Sequence, residues 1–277
     1  MTVVGDQEVE RFADQGFLVL RGFFDVKTEI EPVRRGIHEI IGLVAESHGV
    51  PLERQPFDPE HFDDGYSTLR NAGTEHAGAV YDAVKQLAPF VRLVASQRHE
   101  DLFRQLRATD LVGIAGGGSG IRIDNPADER FSTWWHQEYP AQLRSLDGLV
   151  LWSPLRRITP ELGPLEVSIG SHRDGLIPVL EDPADGRSGA YALRLRDEDA
   201  VAARHPTIAP LVEPGDLIVL DFLTVHRSGR NVASVPRWTL QFRYFNFRDR
   251  VGRSIDWAGA YAAGRSIQQI LTDLEVD

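Results

Sequence analysis

The chain has 277 residues, 42% of them hydrophobic and 26% charged, which excludes a wholly disordered protein and fits one large domain. It contains no cysteine, so disulfides, thiolate nucleophiles, zinc ribbons and iron–sulfur sites are excluded. The 30 basic and 41 acidic side chains give a net charge of −11, which argues against non-specific binding of nucleic acid or of an anionic membrane.

The amino terminus and the apolar runs predict a cytoplasmic protein. Residues 1–10 carry acidic side chains where a secretory signal has a basic flank and an apolar stretch. The longest apolar runs near the terminus, such as residues 17–20, are too short to span a bilayer. We therefore expect no membrane partner and a reducing compartment.

Helical patterns dominate the first part of the chain. Residues 6–14 form a short amphipathic pattern, and apolar residues at spacings of three and four predict a helix over about 29–47. A second amphipathic stretch runs over 80–94 and is kinked or restarted at Pro89. Residues 50–72 show no period and are predicted as loop.

Short apolar segments rich in β-branched residues, separated by Gly and Pro, predict strands in the rest of the chain. The predicted strands cover residues 17–20, 121–123, 148–152, 165–169, 217–220 and 238–247. Helices first and strands later favour an antiparallel sandwich or barrel buttressed by N-terminal helices. We predict one domain over 1–277, with a helical part over about 1–108, a core over 109–250 and a tail over 251–277. The polar segment 181–207 is either a solvated loop or a lid over a site.

The segment TWWHQEYP at 133–140 carries the most informative pattern for chemistry. Residues two apart in a strand project from the same face, so His136 and Glu138 would present an imidazole nitrogen and a carboxylate oxygen to one point. With a distant second histidine they would form the 2-His-1-carboxylate triad that binds non-haem Fe(II) and leaves positions open. The alternative is a half-buried strand whose His and Glu side chains pair with water.

Further motifs follow in order along the chain. They are GPL at 163–165, GSH at 170–172, GD at 215–216, HRSGRN at 226–231 and RWTLQFRY at 237–244. Together with WHQE at 135–138 and the opening GFLVLRGFF at 16–24, this ordered set resembles the phytanoyl-CoA dioxygenase family of Fe(II)- and 2-oxoglutarate-dependent oxygenases. The resemblance covers nearly the whole chain.

The resemblance implies a fold that is mainly β with flanking helices, in which a double-stranded β-helix, a jelly-roll or cupin-like core, holds iron through His136, Glu138 and His226. It implies that Arg237, eleven residues after His226, pairs with the distal carboxylate of 2-oxoglutarate, helped by Ser228. A planar guanidinium grips a carboxylate through two parallel hydrogen bonds, which lysine cannot do. The alternatives are a surface ion pair for Arg237 and a plain turn serine for Ser228.

Three departures from the family pattern stand out: Leu162, where the family often has Asn, the pair Arg156 and Arg157, where acidic residues are common, and above all Glu138, where most members have Asp. The extra methylene moves the carboxylate oxygen outward, so the strand or the rotamer must compensate. The glycine-rich segment 116–120 fails the P-loop and G-x-G-x-x-G patterns and is predicted as a tight connector into the strand at 121–123. His172 is predicted to be structural. The remaining histidines are predicted to be exposed: His38, His48, His61, His76, His99 and His205.

The sequence thus predicts a dioxygenase that uses Fe(II), 2-oxoglutarate and O2 to oxidise, usually to hydroxylate, a C–H bond of a small-molecule metabolite, releasing succinate and CO2. The predicted substrate-pocket residues are Trp134, Tyr139, Asp124 and Trp152. Arg122 is predicted to contact either 2-oxoglutarate or an anionic part of the substrate. One alternative is a redox-neutral, metal-dependent cupin-like isomerase or epimerase, which would not need Arg237. Another is a non-catalytic jelly-roll binding protein. No oligomeric state is predicted.

Overall fold

Helices fill the first part of the chain and strands the second, in the predicted order. The computed structural model describes residues 2–128, 133–181 and 193–259, so residues 182–192 of the predicted lid and 260–277 of the predicted tail lie outside the described residues. In the described part of the chain, no helix is both long and apolar enough to cross a bilayer. The cytoplasmic location and the lid remain predictions.

The helices of the amino-terminal part pack in a layer on one side of the molecule. They are α1 (Asp6–Gln15), α2 (Glu31–Ser47), α3 (Tyr66–Ala72), α4 (Thr74–Val84), α5 (Ala88–Val94) and α6 (Gln97–Arg107). Two short helices lie among the strands, α7 (Glu138–Gln142) and α8 (Glu198–Ala202), and a third, α9 (Arg250–Ser254), follows the last described strand. Pro89 lies in the first turn of α5, where its missing N–H costs no hydrogen bond, so the amphipathic stretch restarts there. The loop predicted over 50–72 is wrong at its end, where α3 forms.

The strands of the described residues form antiparallel sheets. They are β1 (Phe17–Leu20), β2 (Val112–Ile114), β3 (Gly120–Asp124), β4 (Gly148–Pro154), β5 (Leu165–Ser168), β6 (Val179–Glu181), β7 (Leu193–Leu195), β8 (Thr207–Ile208), β9 (Leu217–Asp221), β10 (His226–Ser228) and β11 (Arg237–Asn246). The large sheet has the order β1-β9-β4-β11-β2, and β3 also pairs with β11. A second sheet has the order β10-β5-β8, and β6 pairs with β7.

The large sheet lies between the helices and the second sheet. One of its faces shares an apolar cluster with α2, α4, α5 and α6, to which β11 contributes Trp238 and Phe242. Its other face packs against the second sheet, where Val150 and Ile218 meet Leu165. Because side chains alternate along a strand, each strand of the large sheet serves the helix layer and the space between the sheets in turn. This is the predicted jelly-roll core buttressed by N-terminal helices.

Two of the histidines predicted to be exposed are buried instead. His99 on α6 is 0% exposed, and its Nδ1 lies 3.1 Å from the hydroxyl of Tyr244. Its ring packs against Phe242 and Phe23, so it acts as an aromatic core side chain. Burial lowers the pKa of His99 to about 3. His38 on α2 is also buried. The amphipathic pattern missed both positions because it counts imidazole as polar.

Candidate metal centre

Two of the predicted metal ligands are joined through their backbones. His136 and His226 form an isolated antiparallel bridge in which each amide donates to the other's carbonyl at 3.0 Å. Their ring centroids lie 4.2 Å apart. The chain stays extended through Gln137 and then enters α7 at Glu138. A bridge followed by a helix thus replaces the strand suggested for 133–140. His136 and Glu138 still share a side because the residue between them is extended.

The side chains of the three predicted ligands converge. The Nδ1 atom of His136 lies 2.8 Å from the carbonyl oxygen of Trp134, and that of His226 lies 2.8 Å from the carbonyl oxygen of Thr224. Each Nδ1 therefore donates its proton to a carbonyl, which leaves a lone pair on Nε2. One ligand atom from each of His136, Glu138 and His226 lies within 4.8 Å of the other two, and His226 Nε2 is 3.9 Å from Glu138 Oε2.

The charge states of these side chains suit a divalent cation. Burial lowers the pKa of both imidazoles, that of His226 to about 3, so both rings are neutral at pH 7. Burial alone would raise the pKa of Glu138, but the charge and hydrogen bond of Arg243, with smaller contributions from His136 and His226, together outweigh it and bring this pKa to about 2. Two neutral imidazoles and one carboxylate are the donor set of non-haem Fe(II) sites. The residues present therefore fit the iron that the resemblance implies.

Two residues that the sequence analysis did not single out hold the remaining oxygen of Glu138. Arg243 Nε donates to Glu138 Oε1 at 2.6 Å, and Gln142 Nε2 donates to the same oxygen at 3.0 Å. Signals for both were present in the sequence. Arg243 shares a face of the predicted strand with Arg237, and Gln142 follows Glu138 by four residues, one turn of a helix.

The three candidate ligands line a cavity of about 280 Å³ between the sheets. Three of the other predicted site residues also line it: Arg122, Ser228 and Trp152. The Ser228 hydroxyl accepts a hydrogen bond from the hydroxyl of Thr133 at 3.2 Å. Lys85 and Arg243 add two further cations to the cavity wall. Among the lining residues that the structure describes, Glu138 is the only carboxylate. The cavity wall is therefore predominantly cationic.

Arg237 is buried and does not line this cavity. In the register of β3 with β11 it lies opposite Asp124, whose Oδ2 is 2.9 Å from Arg237 Nη2. Its Nη1 faces the carbonyl oxygens of Gly163 and Gly229. Arg122 Nη2 contacts the other oxygen of Asp124 at 2.7 Å. One buried carboxylate thus serves two guanidiniums, of which only that of Arg122 reaches the cavity. At 2% exposure Arg237 is not a surface ion pair, and its pairing with 2-oxoglutarate stays a prediction.

Asp124, Trp134 and Tyr139 are not among the described residues that line the cavity. Tyr139 is 0% exposed and packs in the apolar core between the sheets. It follows Glu138 in a helix, where successive side chains diverge by about 100°, so it points away from the metal ligands. The ring of Trp134 packs under the guanidinium of Arg194, which lies 4.3 Å from the ring centroid.

A second cavity, of about 530 Å³, lies between α3, α4 and β3. Tyr81 and Arg122 line both cavities, so the two adjoin at these side chains. Gly78 on α4 borders the second cavity, and a Cβ there would meet nothing within 4 Å.

The chain matches the family model for phytanoyl-CoA dioxygenase (PhyH) over residues 12–239. The chain belongs to this family. Ectoine dioxygenase from Sphingopyxis alaskensis is 34% identical in an alignment of 171 positions that covers 57% of this chain and 54% of that protein. The chain thus matches about half the length of this curated relative. The family is one of Fe(II)- and 2-oxoglutarate-dependent oxygenases, which supports the predicted enzyme class and cofactors.

Solved structures confirm the fold. EctD from S. alaskensis, crystallised with 2-oxoglutarate and 5-hydroxyectoine, has a TM-score of 0.55 at 21% identity and covers 88% of this chain and 77% of its own. The carbocyclase SnoK from nogalamycin biosynthesis, described as non-haem and α-ketoglutarate-dependent, has a TM-score of 0.58 at 16% identity, with 96% and 97% covered. The epimerase SnoN of the same biosynthesis has a TM-score of 0.52 at 15% identity, with 87% and 82% covered.

Proposed function

We propose that a single domain spanning this chain is an Fe(II)- and 2-oxoglutarate-dependent oxygenase that oxidises, and usually hydroxylates, a C–H bond of a small-molecule metabolite. The observation that carries the proposal is the convergence of His136, Glu138 and His226 in one cavity, with neutral imidazoles and an ionised carboxylate. Family membership supports iron as the metal.

When bound, iron and 2-oxoglutarate would supply the oxidising chemistry, with consumption of O2 and release of succinate and CO2. The residues of the chain bind and orient. The carbonyls of Trp134 and Thr224 fix the two imidazoles, so neither ring must turn to meet a metal. Trp152 and Leu165 form apolar walls of the cavity and limit the water that reaches the ligands.

We propose that the guanidinium of Arg237 binds the far carboxylate of 2-oxoglutarate and that the Ser228 hydroxyl adds a hydrogen bond. The buried guanidinium of Arg237 already binds one carboxylate, that of Asp124, and its planar set of donors suits a second one. Arg237 starts β11 on the face that further along presents Arg243 to the cavity. To reach the anion, its guanidinium must share or exchange its contact with Asp124.

For the substrate we propose a small metabolite with an anionic group. Lys85 and Arg122 lie in the cavity wall, while the carboxylates paired with them, Asp82 and Asp124, do not line it. An anionic group is therefore attracted into the cavity. Because Arg122 also lines the second cavity, the part of the substrate away from the metal would lie there, under Tyr81.

Succinate formation by the purified protein with Fe(II), 2-oxoglutarate and ascorbate tests the oxygenase proposal. Succinate above background is expected, because many enzymes of this class turn over the cosubstrate slowly without substrate. His226→Ala should abolish the signal. Arg227→Met is the matched control, since Arg227 is adjacent but pairs with Glu166 at 2.7 Å on the outer side. Metal binding without any effect of 2-oxoglutarate would instead support the isomerase or epimerase, and absence of metal binding the non-catalytic module.

A further inference from the structure

The two oxygens of Glu138 have different surroundings. Oε1 accepts hydrogen bonds from Arg243 at 2.6 Å and from Gln142 at 3.0 Å, whereas Oε2 lies 3.9 Å from His226 Nε2. Glu138 as a whole is 3% exposed, so its carboxylate depends on partners within the protein. One oxygen is thus committed to the protein, and the other is turned toward the histidines.

The donors to Oε1 are themselves held in place. Arg243 Nη2 donates to Gln241 Oε1 at 2.9 Å, and Nη1 donates to the carbonyl of Gly118. A Cβ on Gly118 would overlap Gln142 Oε1 and lie 2.9 Å from Arg243 Cδ. The glycine-rich turn therefore packs directly on both donors, which only a residue without a side chain permits. This gives the segment 116–120 a role beyond connecting two strands.

We propose that Arg243 and Gln142 are positioning residues that make Glu138 bind the metal through Oε2 alone, and that Gly118 permits their approach. Glutamate has one more rotatable bond than aspartate, so an unrestrained Glu138 could turn both oxygens toward the metal. A carboxylate bound through two oxygens takes one coordination position more than a carboxylate bound through one. The facial triad is useful because it leaves positions open for cosubstrate and oxygen, so this extra position matters. The inference rests on the proposed function only for the identity of the metal.

Binding of Co(II), a redox-stable probe whose visible absorption reports its coordination, tests the positioning role. Arg243→Met should weaken Co(II) binding by about 10- to 100-fold and change the d–d spectrum, because the carboxylate loses its restraint. The direction of the change in Co(II) affinity distinguishes a positioning role from a purely electrostatic one. If Arg243 acted only through its charge, removing a cation would leave Co(II) binding unchanged or strengthen it, and that result would overturn the proposal.

Further variants separate positioning from folding. Gln142→Leu removes a neutral donor and should weaken Co(II) binding in the same direction, by less than Arg243→Met. Arg243→Lys keeps the charge and should restore part of the affinity. Arg227→Met, which removes an arginine next to His226 that does not contact Glu138, should leave both affinity and spectrum unchanged. Circular dichroism confirms that each variant is folded, and an unchanged spectrum in both Arg243→Met and Gln142→Leu contradicts the proposal.

A double-mutant cycle assigns the effect to Glu138. Glu138→Asp shortens the side chain, so its carboxylate no longer reaches both the donors and the metal position. Arg243→Met should therefore cost at least several-fold less Co(II) affinity in the Glu138→Asp background than alone. Equal losses in both backgrounds would show that Arg243 does not act through Glu138. These readouts need no turnover, so a protein that binds Co(II) as described but forms no succinate refutes the oxygenase and not the positioning role.

Discussion

The two faces of β11 differ in composition and in what they contact. Toward the helices the strand presents four side chains, each at most 1% exposed: Trp238, Leu240, Phe242 and Tyr244. Toward the second sheet it presents Arg237, Thr239, Gln241 and Arg243. One strand thus joins the main apolar core to the site.

The difference shows that stability and chemistry are kept on opposite sides of the same backbone. The helix-facing side buries apolar surface, which is the main source of stability. The cavity-facing side buries a guanidinium at Arg237 and a hydroxyl at Thr239 that has no hydrogen-bond partner among the described residues. Buried polar groups of this kind cost stability, and they are retained where a site uses them. Substitutions on the helix-facing side should therefore lower stability, whereas substitutions on the cavity-facing side should impair metal binding or turnover.

The largest effect on activity is expected from replacement of one of the candidate metal ligands, which line the cavity beside β11. His226→Ala should reduce succinate formation to background and abolish Co(II) binding. The free energy of unfolding of the metal-free protein should change by no more than about 2 kcal/mol, because the ring already borders a cavity. Urea unfolding after treatment with a chelator measures this. A collapse of stability in the variant would show that the two faces are not separable.

On the helix-facing side, Trp238→Ala should lower the free energy of unfolding by about 3–5 kcal/mol, because a fully buried indole leaves a cavity. Its Nε1 also donates to Asp63 at 2.9 Å, and that carboxylate would lose a partner. The fraction that stays folded should bind Co(II) with unchanged spectrum. Trp238→Phe, the conservative control, should lose less stability. A Co(II) spectrum altered by Trp238→Ala would mean that the core shapes the site directly.

Replacement of Arg237 should impair both stability and the binding of 2-oxoglutarate. Arg237→Gln should destabilise the protein by about 3 kcal/mol, because it breaks a buried ion pair with Asp124. The KM for 2-oxoglutarate should rise about 10- to 100-fold, the equivalent of a charge-assisted pair. Arg237→Lys should restore more of the stability than of the KM, since lysine cannot bind bidentately. An unchanged KM in folded Arg237→Gln would leave Arg237 with a structural role alone.

Acid should lower the stability of the protein through His99, which packs against Phe242 on the helix-facing side of β11. The unfolded chain takes up a proton at this histidine below about pH 6.5, whereas burial lowers the pKa in the folded protein to about 3. The contribution of His99 to stability is therefore present above pH 6.5 and is lost as the pH falls toward 3, by about 1.4 kcal/mol per pH unit. His99→Phe should flatten the dependence of unfolding free energy on pH in this window. An unchanged dependence on pH in folded His99→Phe would contradict this prediction.

The smallest effect is expected from Thr239→Val on the cavity-facing side. The Thr239 hydroxyl is buried without a partner among the described residues, and valine has nearly the same shape. The free energy of unfolding should change by less than about 1 kcal/mol, toward greater stability. The KM for 2-oxoglutarate should be unchanged. A loss of stability would show that the hydroxyl has a hydrogen-bond partner after all, such as a buried water.

Six of the described strands were predictable because their signal is local, whereas the short strands β2, β6, β7, β8 and β10 were not predicted. The prediction at 17–20 matches β1 residue for residue, and the prediction at 217–220 misses only the last residue of β9. Helix α6 was not predicted, because its buried face includes His99, which becomes part of the core only through contact with Tyr244. Local pattern cannot report a contact between residues 145 positions apart.

The candidate site likewise has a part that the sequence predicted and a part that it did not. The ordered motifs pointed to His136, Glu138 and His226, and the structure brings these three together. The contact of Arg243 with Glu138 spans 105 residues and depends on how β11 lies against α7, so spacing alone did not show it. The pairing of Asp124 with Arg237 likewise follows from the register of β3 with β11 and carries no signature in either motif.

The reciprocal amide–carbonyl bonds between His136 and His226 involve no ion. The two imidazoles are therefore prearranged by the polypeptide itself, unlike the ligands of small zinc modules that unfold when a chelator removes the metal. Loss and uptake of iron should then leave the barrel intact, and reloading should require only dehydration of the incoming ion. In a cell with fluctuating iron supply, such a protein would persist in an inactive state and recover activity without resynthesis.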